Sequence, residues 1–350
     1  LTKKFNDSGS YGGIMTDQYN IAVVGATGLV GRAMIKALEE RDFPVKQLRL
    51  FASENSAGTK ISFKGQEHHV ETLSPESVQN IDYALFSAGQ GTAAQWAPVF
   101  VEKGAVVIDN SACFREDDDV PLVVPEVNPD DIKNHEGIIS NPNCVVIGLA
   151  MTLNRLHKSF KVKRVIITAL QAVSGAGSKA LDELNAQVES NLADKDKKGN
   201  IFPQGIANNL IPKIGDILTD GATEEEEKIS RETVKILHDP TIGVTATSVR
   251  VPVVTGHSFC LNIETLYPSP ALRVHQVLAR AEGIDVFSDP AFPCPIDAAG
   301  TDRVMVGRIR EDMTAAHAFN LWVVVDNLRK GAATNAVQIL ELLTAPEEKE

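Results

Sequence analysis

Gly25-Ala26-Thr27-Gly28-Leu29-Val30-Gly31 stands directly between a short β-branched run, residues 20–24, and an amphipathic pattern set by Leu29, Ala33, Ile35, Ala37 and Leu38. Spacing of that kind is helical, so the glycines occupy a strand-to-helix turn. A GxxGxxG turn in this setting is what a dinucleotide-binding βαβ unit needs. Glycine lets the backbone approach a pyrophosphate, and the helix N-terminus offers unpaired N–H groups and a positive dipole end. A tight turn holding no ligand is the competing reading, and the surrounding strand and helix weigh against it.

Further short apolar strands follow at 48–53, 82–89 and 105–111, separated by helical stretches or loops. Strands alternating with helices predict a mostly parallel sheet covered on both faces. From residue 162 the texture changes. Strands at 247–256, 258–268, 304–312 and 318–327 are longer and few helices intervene, which predicts an α+β second domain with a mixed sheet. Residues 191–229 are polar and turn-rich and read as surface loops leading into a helix. The tail is a helix, with Ala333, Ala336, Val337, Leu340 and Leu343 at three- and four-residue spacing. The fold class expected is α/β: a Rossmann-like dinucleotide domain over 15–143 and 327–350, and an α+β catalytic and dimerisation domain over 144–326. Residues 1–14 read as a flexible polar extension, with Met15 marking the start of order.

The net charge of −12 argues against nucleic acid or an anionic membrane as partner, since both call for a basic face. No apolar run approaches the roughly 20 residues of a membrane span. The first twenty residues have no apolar core of a signal peptide. Four widely separated cysteines, Cys113, Cys144, Cys260 and Cys294, suggest neither a zinc site nor a disulfide framework, and a reducing cytoplasm is the simplest setting.

At the end of the second strand an NAD site calls for Asp or Glu, but this chain continues Ser53-Glu54-Asn55-Ser56. Ser53 and Ser56 can hydrogen-bond a 2′-phosphate, which favours NADP, while Glu54 keeps NAD in play.

Ser140-Asn141-Pro142-Asn143-Cys144 runs into the apolar stretch 145–153. Two readings of Cys144 stand at this point. Free cysteine is among the most buried residue types. A thiol at a helix N-terminus, on the other hand, has its thiolate favoured by the dipole, whereas a free thiol with pKa about 8.5 is only a few per cent ionised near neutrality. Downstream, 171–177 reads QAVSGAG, and 250–257 reads RVPVVTGH. His257 follows a glycine at a strand end, where side chains reach into sites. Arg250 sits at a position that alternation buries, so it is either half of a structural salt bridge or a clamp for an anionic ligand.

The ordered set IAVVGATGLVG, SAGT, LFSAGQ, VIDNSACFR, PLVVPEVN, NPNC, QAVSGAG, RVPVVTGHS and DNLRKGAA resembles the aspartate-semialdehyde dehydrogenases, from about Asn20 to the last helix. The resemblance implies NADPH-dependent reductive dephosphorylation of L-aspartyl 4-phosphate to L-aspartate 4-semialdehyde, in aspartate-family amino-acid biosynthesis. It implies Cys144 as the nucleophile that forms an acyl-thioester, His257 as the acid/base group and Gln171 as the residue orienting the intermediate. Arg250 would clamp the substrate carboxylate and Glu225 meet its amino group. Arg115, Asn143 and Lys228 would form the phosphate pocket. The cofactor would lie on Gly25, Ala26, Thr27, Gly28, Leu29, Val30, Gly31, Ser53, Asn55, Ser56, Ser174, Gly175 and Asn327. It further implies a homodimer or a tetramer built from dimers, and no metal.

The chemistry suits these residue types. A carboxylate is a poor electrophile, so it arrives activated as an acyl phosphate, and the thiol divides one hard step into two. A backbone N–H at the start of the helix is expected to steady the tetrahedral oxyanion. Three features depart from the pattern. Asn55 stands where Arg often pairs with the 2′-phosphate, and Gln90 replaces a common glycine. The run Glu224–Glu227 leaves open which glutamate meets substrate, or whether all four merely complement a helix dipole. Cys113 reads as a packing residue. Other readings are N-acetyl-γ-glutamyl-phosphate reductase, a Cys–His hydrolase, which has no use for the glycine turn, and a nucleotide sensor, which has no use for the Cys, Gln, Arg and His set.

Overall fold

The computed structural model describes residues 18–190 and 199–346, so the expected extension over 1–14 and the assignment to Met15 lie outside the described residues. The chain forms two compact units, one of residues up to Pro142 together with those from Ala332 onward, the other Asn143–Gly331.

The first unit opens with β1 (Tyr19–Val24), α1 (Leu29–Glu40), β2 (Val45–Ala52), β3 (Lys60–Phe63), β4 (Gln66–Thr72), β5 (Tyr83–Phe86), α2 (Gln90–Glu102), β6 (Val106–Asp109) and β7 (Ile138–Ser140). Its described strands make a seven-stranded sheet in the order β3-β4-β2-β1-β5-β6-β7, parallel except for the β3–β4 pair. Alternation along β1 divides the core between the two faces. Ile21 and Val23 face Met34 and Leu38 of α1 and Val337 and Leu340 of the C-terminal helix, Thr334–Thr344. Ala22 and Val24 face Ala97 and Phe100 of α2, where Cys113 also packs. The β3–β4 hairpin was not legible in the sequence. Its two-residue turn, Lys64-Gly65, has both residues at positive φ, 47° and 75°, and lysine carries no signal for that conformation.

The second unit contains α3 (Cys144–Phe160), β8 (Val162–Gln171), α4 (Ser178–Glu189), α5 (Glu224–Leu237), β9 (Gly243–Arg250), β10 (His257–Thr265), α6 (Ala271–Leu278), β11 (Ile284–Val286), α7 (Pro295–Ala298), β12 (Val304–Glu311) and β13 (Ala318–Val325). Its described strands form a mixed six-stranded sheet, β11-β12-β13-β10-β8-β9. β8 runs parallel to β9, while β10 is antiparallel to both β8 and β13. The strand expected over 247–256 ends at Arg250. Pro252 has no N–H to give the ladder, and the segment beyond turns back over the end of β8, with Val173 and Ser174 donating to the carbonyls of Val253 and Val254.

Candidate active site

The register of the second sheet gathers chemistry at one end. Gln171 closes β8 beside Arg250, which closes β9. β10 runs the other way, so its first residue, His257, falls at the same end, next to Val325, the last residue of β13. Asn327 follows two residues later. Three strand ends and one strand start thus deliver Gln171, Arg250, Asn327 and His257 to a single edge, all buried: 2%, 5%, 1% and 0% exposed.

Helix α3 begins at Cys144. Asn143 caps it, its Oδ1 accepting the Val145 N–H at 2.8 Å. Asn143 Nδ2 donates to Glu225 Oε1 at 3.0 Å, and Gln171 Nε2 donates to the same oxygen at 2.9 Å. The Val145 N–H is therefore committed to the cap, and the backbone donor expected to meet an oxyanion is not that one.

Cys144 Sγ lies 3.1 Å from His257 Nε2. The other ring nitrogen, Nδ1, accepts the Ala172 N–H at 3.0 Å. An acceptor at Nδ1 requires the neutral ring to carry its proton on Nε2, which faces the sulfur. Complete burial, and then the nearby Arg250 guanidinium, hold His257 well below the usual imidazole range, so the ring is neutral at physiological pH. The neutral ring therefore presents an Nε2–H donor directly to the Cys144 sulfur.

Arg250 answers the choice left by the sequence. Its Nη1 donates to the Ala172 carbonyl at 2.7 Å, and no described carboxylate pairs with it. Burial lowers its pKa, against the opposing charges of Cys144 and Glu225. A buried guanidinium with most of its donors unspent suits an anionic ligand better than a structural bridge.

The glutamate run resolves by position on α5. Thr223 and Glu226 form a capping box, and Glu226 also accepts the Ser248 N–H. Glu227 pairs with Arg231, and Glu224 is exposed. Glu225 alone reaches Asn143 and Gln171. The side chain of Lys228, half-buried on the following turn, makes no hydrogen bond or ion pair to another described residue. Asn327 Nδ2 donates to Ser174 Oγ at 2.9 Å and its Oδ1 accepts the Gly256 N–H at 2.9 Å, so this side chain laces the QAVSGAG turn to the residue before His257. Gly175 leaves room for both partners: a Cβ there would sit 3.0 Å from Arg250 Nη1 and 3.2 Å from His257 Cε1.

Arg115 belongs to the first unit. Its Nε donates to the Asn141 carbonyl and its Nη2 to that of Asn110, which holds a buried cation at the end of the sheet. The glycine turn fits a dinucleotide. Gly25 has φ +87°, and a Cβ on it would meet the Ser87 carbonyl oxygen at 2.4 Å; one on Gly31 would meet the Gly25 oxygen at 2.1 Å. No side chain caps α1 at Gly28, which leaves its first N–H groups for an anion. β2 ends at Ala52 with no acidic residue. Ser53, Glu54 and Asn55 are exposed, and Ser56 Oγ accepts from Thr27 Oγ1 at 3.4 Å, beside the turn.

Two elements of the site escaped the sequence. One is the Ala172 N–H, a backbone group that carries no side-chain signal. The other is Glu232, 2% exposed, whose Oε2 accepts the Asn143 N–H at 2.7 Å. Its spacing of seven from Glu225, two turns of one helix face, was the available signal.

Residues 20–135 match the domain family described as Semialdehyde dehydrogenase, NAD binding domain, and residues 153–330 match Semialdehyde dehydrogenase, dimerisation domain. The aspartate-semialdehyde dehydrogenase of Aquifex aeolicus is 49% identical over 332 residues, 93% of this chain and 98% of the relative; that of Bacillus subtilis is 45% identical over 93% and 97%. A crystal structure of aspartate semialdehyde dehydrogenase II from Vibrio cholerae superposes with a TM-score of 0.91 at 44% identity, covering 95% of this chain and 100% of that one. The Candida albicans enzyme with NADP gives a TM-score of 0.74 at 27% identity, over 94% and 99%. With both domains matched in order and relatives aligned from end to end, the chain belongs to the aspartate-semialdehyde dehydrogenase family.

Proposed function

We propose that the chain catalyses the NADPH-dependent reductive dephosphorylation of L-aspartyl 4-phosphate to L-aspartate 4-semialdehyde, through an acyl-thioester on Cys144. The observation that carries this reading is the 3.1 Å approach of Cys144 Sγ to His257 Nε2, at the strand ends that also present Gln171 and Arg250.

Arg250 receives the substrate α-carboxylate in its buried fork, and Glu225 receives the amino group. These two contacts fix the acyl carbon over the sulfur, with Gln171 orienting its oxygen. The thiolate attacks, a C–S bond forms, and the bond to phosphate oxygen breaks. Lys228 neutralises the departing phosphate, which takes up a proton from solvent as it leaves; Arg115 is likewise proposed as a phosphate ligand. His257 Nε2–H donates to the charge that builds at the reacting centre, a class of contact worth about 3–4 kcal/mol. Gly25–Gly31 would hold NADPH, with Ser53, Asn55 and Ser56 toward its 2′-phosphate, and the cofactor would supply the hydride that takes the thioester to the aldehyde level; Ser174, Gly175 and Asn327 are the residues proposed to meet its nicotinamide end. Collapse of the tetrahedral adduct returns the sulfur as a thiolate against the same Nε2–H.

His257 therefore works throughout as a donor. With Nε2 already protonated, the ring has no free lone pair facing the thioester to draw a proton from water, which disfavours hydrolysis. The quaternary state proposed is a homodimer or a tetramer of dimers. The dimerisation-domain match supports the dimer, as do the exposed apolar side chains Phe292, Ile296 and Met313 of the second unit. The setting proposed is cytoplasmic, with small-molecule substrates and no nucleic-acid or membrane partner; among the described residues no helix is long and apolar enough to cross a membrane.

The assay mixes purified protein with aspartate semialdehyde, phosphate and NADP⁺ or NAD⁺ and follows reduced nicotinamide. Phosphate-dependent reduction that is lost in Cys144→Ala supports the reading. Absence of a phosphate-dependent signal with either cofactor sinks it, and turnover surviving in Cys144→Ala sinks the nucleophile.

A further inference from the structure

An N-cap residue has two hydrogen-bonding needs: its side chain serves the helix, and its own N–H wants an acceptor. In a capping box the side chain at the third helical position meets the second need. Helix α5 does this locally, with Thr223 and Glu226. Helix α3 cannot, because its third residue is Val146. The Asn143 N–H instead donates 2.7 Å to Glu232 Oε2, on a different helix. The side-chain half of the cap is in place: Asn143 Oδ1 accepts the N–H of Val145, at the second helical position, at 2.8 Å. The N-cap of the nucleophile's helix is therefore completed in trans, by Glu232 of α5.

Glu225 and Glu232 lie two turns apart on α5 and grip the same residue, one at its side-chain amide and the other at its backbone. A buried carboxylate is costly and is retained only where it is hydrogen-bonded. We infer that Glu232 is a positioning residue for the thioester chemistry: by holding the Asn143 backbone it sets where Cys144 presents its sulfur to His257 and how Asn143 reaches Glu225. This inference rests on the proposed role of Cys144 as nucleophile.

Glu232→Gln keeps an acceptor oxygen at the same reach and removes the charge, whereas Glu232→Asp keeps the charge and withdraws the acceptor by one methylene. Both are compared with the wild type by thermal unfolding, by kcat and KM for aspartate semialdehyde, and by the rate at which iodoacetamide alkylates Cys144. Displacement of a reacting group by about an ångström costs on the order of a hundredfold. Glu232→Asp is expected to lose about tenfold or more in kcat and in alkylation rate together, with KM within about twofold. Glu232→Gln is expected to stay within about threefold of the wild type in both. Any other pattern overturns the inference, including equal losses in the two variants or a fall in melting temperature alone. Should Glu232→Asp fail to fold, the Asn143 amide of the wild-type enzyme decides: slow hydrogen exchange supports the bond and exchange at the solvent rate overturns it. Alkylation needs no substrate, so a wild-type enzyme inactive on aspartate semialdehyde would reject the proposed function without touching this result.

Discussion

The Ala172 backbone N–H donates to His257 Nδ1 at 3.0 Å, and that bond decides which face of the ring meets the sulfur. Because Ala172 follows Gln171 at the end of β8, the end of that strand selects the tautomer of His257. If His257 acts as a donor at Nε2, a side chain that offers an N–H at the same reach can replace part of its work. Glutamine places its amide near that position and asparagine stops short. His257→Ala is expected to lose about 10²–10³ in kcat, and His257→Gln to recover about tenfold over His257→Ala and His257→Asn. A glutamine variant no better than alanine would show that proton abstraction is the essential act.

The same ring makes stability depend on pH. Burial, and then Arg250, push the His257 pKa far below the value of about 6.5 that it has when unfolded. Its folded pKa is depressed and its neutral form is the native one. Its contribution is accordingly complete above about pH 6.5 and is lost as pH falls toward the folded pKa. Between about pH 8 and pH 5.5 the unfolding free energy should fall more in the wild type than in His257→Gln. His135 and His157, also depressed by burial, titrate alike in both proteins and cancel from the comparison. Parallel pH profiles would contradict the assignment.

Gly175 tests the tightness of the pair formed by Arg250 and His257. The backbone there is not strained; the constraint is space, since a Cβ would approach Arg250 Nη1 to 3.0 Å and His257 Cε1 to 3.2 Å. Gly175→Ala should reduce kcat/KM by about tenfold or more, with little change in melting temperature, because two positioned groups must give by tenths of an ångström. Wild-type kinetics in this variant would mean that the clamp is looser than the geometry states.

Much of this was readable in the sequence because strand ends and helix starts carry local signatures. NPNC before an apolar run raised a helix start at Cys144 as one of two readings, and α3 does begin there; the GxxGxxG turn pointed to α1. What stayed hidden depends on register between distant segments. Nothing local says that Arg250 and Gln171 pair across parallel strands, or that Glu225 and not its three neighbours turns toward Asn143. That choice is set by the Thr223–Glu226 capping box, which fixes where α5 begins. The Pro252 break was visible as a proline, yet its consequence, a segment folded back on the QAVSGAG turn, is tertiary. Glu232 has no local signature of its role, because its partner is a backbone N–H 89 residues earlier.

Cofactor choice can be moved at Asn55. Ser53, Asn55 and the half-buried Ser56 offer hydrogen bonds but no charge to a 2′-phosphate, and Glu54 stands among them. A charge-assisted contact is worth about 1.5–3 kcal/mol. Asn55→Arg should therefore raise the preference in kcat/KM for NADP⁺ over NAD⁺ by about tenfold or more. An unchanged ratio would place the 2′-phosphate elsewhere.

Arg250 allows the sharpest separation of function from structure. A buried arginine in a salt bridge stabilises the fold through its partner, and loss of the guanidinium costs stability because a buried carboxylate is orphaned. Here the guanidinium's one partner among the described residues is the Ala172 carbonyl, which a lysine ammonium can also meet, and no described carboxylate is left behind. Lysine keeps the charge but lacks the planar fork that grips both oxygens of a carboxylate. Arg250→Lys should then lose about a hundredfold in kcat/KM for aspartate semialdehyde, close to 2.7 kcal/mol of transition-state binding, while its melting temperature shifts by only about 2–4 °C. Moving the positive charge also alters the field at His257, so the variant's acid limb in a kcat/KM profile should shift, since the Arg250 charge is one of the two causes depressing that ring. If stability and activity fell in proportion, the guanidinium would be holding the fold together and the carboxylate clamp would have to be sought in another residue.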